Sequence, residues 1–101
     1  RSMASNLNGP LVVDFEARSV RLDGVALALT ARELAIVEFL AERRGRIVTR
    51  EQLIESLWGE AKESVRASVD VLVARIRRKL GTHACLLRTM RGVGYLFGEL
   101  E

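Results

Sequence analysis

Apolar positions along this chain change their spacing as the chain proceeds. Between residues 11 and 29 they come in short runs or alternate: Leu11-Val12-Val13, then Val20 and Leu22 around Arg21, then Val25–Leu29. Asp23-Gly24 interrupts them with a tight-turn signal. Short alternating runs with such a break predict a small antiparallel sheet of three or four strands, one face of which needs covering. From Leu34 the spacing turns helical, with Ile36, Val37, Phe39 and Leu40 continuing to about Arg43. Thr30 followed by Glu33 is a capping box, in which each side chain accepts from the other residue's backbone N–H. Thr49 with Gln52 repeats that signal and opens a second helix through Leu53, Ile54, Leu57 and Trp58. Gly45 and Gly59 are plausible stops. Between these helices Ile47-Val48 is long enough only for a bridging strand. A charged loop, Gly59–Ser64, leads to a third helix over Val65–Leu80, stopped by Gly81. Leu86–Met90 and Tyr95–Phe97 then flank a turn at Arg91–Gly94.

The order of strands, helix, short strand, helix, helix and hairpin makes an α+β domain. Two helices joined by a loop, followed directly by a hairpin, read as a winged helix-turn-helix. The expected architecture is an N-terminal antiparallel sheet, a three-helix core and a C-terminal β-hairpin wing. Residues 1–10 are polar and aperiodic and are set apart as a linker; the domain covers 11–98, and 99–101 form a tail. No internal repeat is present.

The third helix is the informative one. At about 100° per residue, Val69, Val73, Ile76 and Leu80 fall on one stripe with Leu72 at its edge. The opposite face carries Ala67, Val71, Ala74 and Arg78, flanked by Asp70 and Arg75. Small side chains among charges let another surface come close. On DNA, Arg75 or Arg78 has the donors for guanine O6 and N7, Asp70 the acceptors for cytosine N4, and Val71 the surface for a thymine methyl. Arg66, Arg77 and Lys79 project sideways, toward where groove-lining phosphates would lie. Thr49 and Arg50, at the second helix start, join that backbone set. In the hairpin, Gly92 and Gly94 are expected to allow positive φ and expose the backbone. Arg91 beside them suits the negative potential of a minor groove, and Thr89 can donate to a phosphate.

Charge supports this placement. The total of +3 is modest, but residues 66–91 hold seven basic groups and one acid, a net of +6, against −1 for residues 1–65 and −2 for 92–101. One concentrated basic region is the footprint of a polyanion binder. The 101 residues suit a single domain with one modest core. No uncharged stretch is long enough to span a bilayer, and no start of the secretory type is present. The lone Cys85 has no partner for an internal disulfide and suits a reducing compartment. With one histidine and one cysteine, the chain has no zinc site from those residues alone, and His83 reads as a solvated loop residue. There is no Walker motif, no GxGxxG and no catalytic constellation, so neither enzyme activity nor a metal or cofactor is expected. The main alternative to a DNA binder is a winged-helix protein-interaction module, whose binding would lack the steep salt dependence of phosphate contacts. An RNA binder would normally expose aromatics for stacking, whereas the five aromatics here read mostly as core or strand residues.

Taken together these residues resemble the C-terminal effector domain of OmpR/PhoB-type response regulators. The likeness covers roughly residues 11–98. Its marks are Leu29-Thr30 with Glu33-Leu34, Gly45, Thr49-Arg50-Glu51-Gln52-Leu53, Trp58-Gly59, Val69-Asp70-Val71, Arg75, Arg77, Leu80 and Arg91-Gly92-Val93-Gly94-Tyr95. The resemblance implies a four-stranded N-terminal sheet, a third helix in the major groove and a wing arginine in the minor groove. It makes Asp70, Val71 and Arg75 base readers, Ser68, Arg77 and Thr89 phosphate contacts, and Arg91, with Gly92, the wing contact. It further implies a bacterial, cytoplasmic transcription regulator and tandem half-sites on double-stranded DNA. A receiver domain and sensor kinase belong to such a system, and the loop at 59–64 would touch RNA polymerase. A monomer alone that pairs on DNA is expected, and the linker-like start favours a piece of a longer chain. Ala74, Leu72 and Ala67 stand where relatives often carry polar or basic residues. This chain is therefore expected to read sparsely, with more resting on Arg75 and Arg91.

Overall fold

The computed structural model describes the backbone of residues 5–8, 10–59 and 63–98 and the side chains of residues 10–59 and 65–98. It begins with β1 (Ser5–Asn8), β2 (Leu11–Asp14), β3 (Ser19–Leu22) and β4 (Val25–Ala26), an antiparallel meander in that spatial order. The alternation seen in the sequence selects the inner face: Leu11, Val13 and Val20 are buried, and Val13 lies opposite Val20. The turn between the paired Leu22 and Val25 consists of Asp23 and Gly24, at φ 53° and 82°, as the right-handed twist of a two-residue hairpin requires. β1 corrects an expectation. Residues 1–10 were set apart as a linker, yet Ser5–Asn8 pairs along its length with Leu11–Asp14. An edge strand is recruited through backbone hydrogen bonds, so its polar composition gave no sign of it.

Both capping boxes form. At α1 (Ala31–Glu42) the Glu33 N–H donates to Thr30 Oγ1 (3.3 Å) and the Thr30 N–H to Glu33 Oε1 (2.9 Å). At α2 (Arg50–Leu57) the corresponding Thr49–Gln52 distances are 3.1 and 2.8 Å. The third helix, α3, spans Glu63–Leu80 and so begins two residues before the expected start. Residues 60–62 of the expected loop lie outside the described residues. Val69, Val73, Ile76 and Leu80 are all buried, against Ile36, Val37, Leu40, Leu53 and Ile54 of the first two helices. Burial on that scale stabilises by about 1.5–3 kcal/mol for each large side chain. Gly81–Leu86 winds into a short 3-10 helix. There His83, expected to be a solvated loop histidine, places Nε2 2.8 Å from Asp23 Oδ2 and ties this segment to the β3–β4 turn.

The hairpin consists of β6 (Leu87–Met90) and β7 (Gly94–Phe97). A two-residue strand before α2, β5 (Val48–Thr49), pairs with β7, giving the order β5-β7-β6. The wing is thus a wall of the core, with Leu87, Tyr95, Leu96 and Phe97 all buried. Gly92 has the expected positive φ of 76°, but Gly94 does not need one. It is glycine because β5 lies against it: a Cβ there would collide with the Val48 carbonyl and come 2.8 Å from Thr49 Cα.

Glu33 is the one charged residue among the buried side chains described, 1% exposed, and Lys79 Nζ reaches it from α3 at 2.6 Å. Burial alone would raise its pKa. The hydrogen bonds from Lys79 and the Thr30 backbone outweigh that and hold the carboxyl below its ordinary value of 4.5. A depressed folded-state pKa contributes stability that is present above the unfolded value and lost as pH falls through the folded one. Denaturant titrations below pH 4.5 are therefore expected to show falling stability, less steeply in Glu33→Gln. Superimposable acid profiles for the two proteins would rule this linkage out.

Candidate nucleic-acid interface

With its apolar stripe committed to the core, α3 presents Ala67, Asp70, Val71, Ala74, Arg75 and Arg78 to solvent; Val71 is 49% exposed. The side chains expected to face a base edge therefore share one face. Beside it runs a shallow groove of about 380 Å³ lined by Trp58, Leu72, Val71, Arg75 and Arg32. Arg32 was not singled out from the sequence. Its guanidinium stacks 4.5 Å from the centroid of the Trp58 ring and donates to the Leu57 carbonyl, joining the start of α1 to the end of α2. A hint was available: a cation in the first turn of a helix opposes the helix dipole, so its presence there suggests another task.

The other basic residues separate by what they touch. Lys79 turns inward to Glu33, away from the outward face. Arg66 pairs with Glu51 of α2 at 3.0 Å. Arg77 donates through Nε to the Leu87 carbonyl at 2.9 Å and through Nη2 to Thr89 Oγ1. Two residues expected to touch phosphate are thus fastened to each other across the α3–β6 junction. Arg50 donates through Nη2 (3.0 Å) and Nε (3.2 Å) to Asp70 Oδ1, and the Tyr95 hydroxyl donates to the same oxygen at 2.7 Å. Burial pushes the Tyr95 hydroxyl's pKa up and the Asp70 carboxylate adds to this, against the opposing effect of Arg50. The hydroxyl therefore keeps its proton as a donor. Thr49 Oγ1 is engaged as the α2 cap, which leaves its hydroxyl proton available. Ser68 lies on the exposed side of α3 next to the groove.

Of the guanidiniums expected to touch DNA, three have no partner among the described residues: Arg75 and Arg78 on α3, and Arg91 at the wing turn. Exposed Gly92 and Val93 follow Arg91, so the turn has little side-chain bulk around its cation. Free guanidiniums on a helix face and on a loop tip, set in small residues, can dock into two adjacent grooves of a polyanionic duplex. No three His, Cys, Asp or Glu side chains gather as a metal site among the described residues, and no helix is long and apolar enough to cross a membrane.

Comparison with known proteins agrees with this geometry. Residues 24–97 match the family model described as transcriptional regulatory protein, C terminal. The transcriptional regulatory protein PrrA of Mycobacterium tuberculosis is 41% identical over 90 residues, which cover 87% of this chain and 39% of that protein. The chain thus spans about two fifths of the length of the curated relatives it matches. Among solved structures, the response regulator DrrB, an OmpR/PhoB homologue of Thermotoga maritima, superposes with a TM-score of 0.84 at 33% identity, covering 94% of this chain and 44% of that one. The DNA-binding domain of RstA from Klebsiella pneumoniae, in complex with its RstA box, gives 0.82 at 33% identity, covering 93% and 96%.

Proposed function

The chain belongs to the C-terminal family of transcriptional regulatory proteins, the winged-helix DNA-binding effector domains of OmpR/PhoB-type response regulators, and from that premise we propose how it engages its site. Helix α3 lies in the major groove of double-stranded DNA, and the wing turn at 91–94 enters the adjacent minor groove. The observation that carries this reading is the set of three free guanidiniums, with Arg75 and Arg78 on one helix face and Arg91 on the loop beyond it. Every other arginine or lysine expected to touch DNA already has a partner within the protein.

Base reading falls to Arg75 and Arg78, with Val71 and Asp70 beside them. Arg77 and Thr89, joined to each other, offer their remaining donors to the backbone, as does Thr49, and Ser68 meets it from the exposed side of α3. In the full-length protein a receiver domain phosphorylated by a sensor kinase would control this domain in the cytoplasm. The isolated domain is a monomer that pairs on tandem half-sites, and RNA polymerase is met through residues 59–64.

Arg75→Ala is expected to lose about 1–3 kcal/mol of discrimination between the preferred and a mismatched duplex, as for one two-pronged base contact. Arg91→Ala is expected to weaken binding most where the flanking minor groove is narrow. Competition binding against promoter fragments decides both; unchanged affinity and selectivity in the two variants would remove these residues from the interface.

A further inference from the structure

Asp70 stands on the outward face of α3 with its side chain 53% exposed. A carboxylate offers about four lone-pair positions, two on each oxygen. Here three N–H and O–H donors converge on one oxygen, Oδ1: Arg50 Nε, Arg50 Nη2 and the Tyr95 hydroxyl. No described residue donates to Oδ2, so that oxygen keeps its acceptor capacity unspent. The anchoring groups come from two other elements, Arg50 from the start of α2 and Tyr95 from β7, whose strand pairs with the residues just before α2. Tyr95 is itself only 4% exposed, so its hydroxyl is a fixed point. Arg50 supplies a second need. A bare carboxylate near phosphates is repelled, whereas one carrying a guanidinium at 3.0 Å is locally neutral.

We propose that Tyr95 and Arg50 are positioning residues for sequence reading, holding Asp70 so that a single fixed acceptor, Oδ2, faces the duplex. An acceptor without a donor selects an exocyclic amine, cytosine N4 or adenine N6, and rejects the O6 and O4 acceptors of guanine and thymine. One base position of the preferred site is therefore restricted by this three-residue unit. The inference rests on α3 lying in the major groove.

The test is selection from a randomised duplex pool by the wild type, Asp70→Ala, Tyr95→Phe and Arg50→Gln, with thermal unfolding measured in parallel. The wild type is expected to yield a motif in which one position admits only cytosine or adenine on one strand. Asp70→Ala loses that restriction alone. Tyr95→Phe, or Arg50→Gln should the phenylalanine variant not fold, relaxes the same position by roughly tenfold and leaves the others unchanged. If both variants keep the wild-type motif while Asp70→Ala loses the position, Asp70 reads unaided and the inference is overturned. A uniform loss of affinity at all positions would equally overturn it, since it marks a structural role only. A wild type that selects no motif would instead remove the DNA-reading assignment beneath it.

Discussion

Replacing Gly94 with alanine is expected to destabilise the domain by about 3 kcal/mol or more, toward the upper end for overpacked sites. Overpacking in most cores relaxes through side-chain rotamers. Here the added methyl meets backbone, the Val48 carbonyl and Thr49 Cα, so relief requires β5 to separate from β7. Separation breaks the Val48–Tyr95 and Thr49–Gly94 pairing and moves Thr49, the cap of α2. One methyl therefore reaches the wing, the second helix and the core together. Gly92→Ala is the control: no atom lies within 4 Å of its Cβ, and only the positive φ opposes it, at about 1–2 kcal/mol. Urea titrations of both variants measure the contrast. A Gly94→Ala midpoint indistinguishable from that of the wild type would show that β5 and β7 are not held as described.

Affinity for duplex DNA is expected to fall by about a hundred- to several-hundred-fold as monovalent salt rises from about 50 to about 200 mM, a log–log slope near −4. The seven basic groups in residues 66–91 would by themselves give a slope near −6 and a loss of several thousandfold. The difference comes from the partners. Lys79 belongs to Glu33 and Arg66 to Glu51, and Arg88 is also engaged within the chain, so none of the three releases a full counterion. Arg75, Arg77, Arg78 and Arg91 have no carboxylate partner among the described residues. A slope of −6 or steeper would mean that the internal pairs open on DNA. A flat response would remove phosphate contact altogether.

What the sequence discloses here depends on how far apart in the chain the interacting groups lie. Thr30 with Glu33 and Thr49 with Gln52 span three positions, and both pairs form as the residue types dictate. The buried stripe of α3 follows in the same way from a local period, and with it the outward face that carries Asp70, Val71, Arg75 and Arg78. Partners are another matter. Arg50 and Asp70 are 20 positions apart, Asp70 and Tyr95 are 25, Glu33 and Lys79 are 46, and Asp23 and His83 are 60. No local pattern encodes those meetings, which only the packing of three helices on two sheets brings about. Lys79 shows the consequence: its position on the helical wheel is compatible with phosphate, and its ammonium goes to a buried carboxylate instead. Gly94 and Ser5–Asn8 escaped for a related reason, since both owe their roles to a neighbouring strand's backbone.

The double attachment of Arg77, to the Leu87 carbonyl and the Thr89 hydroxyl, also fixes a length. It joins the helix to the first wing strand, so the span from Arg75 to Arg91 is set before any duplex is met. On the proposed docking, a domain built this way would work as a caliper as well as a reader. Duplexes whose winding shifts the minor groove along the axis relative to its neighbouring major groove would fit that span poorly, whatever bases they display. Local twist would thereby become a second criterion of choice, imposed by one arginine that need not touch a base.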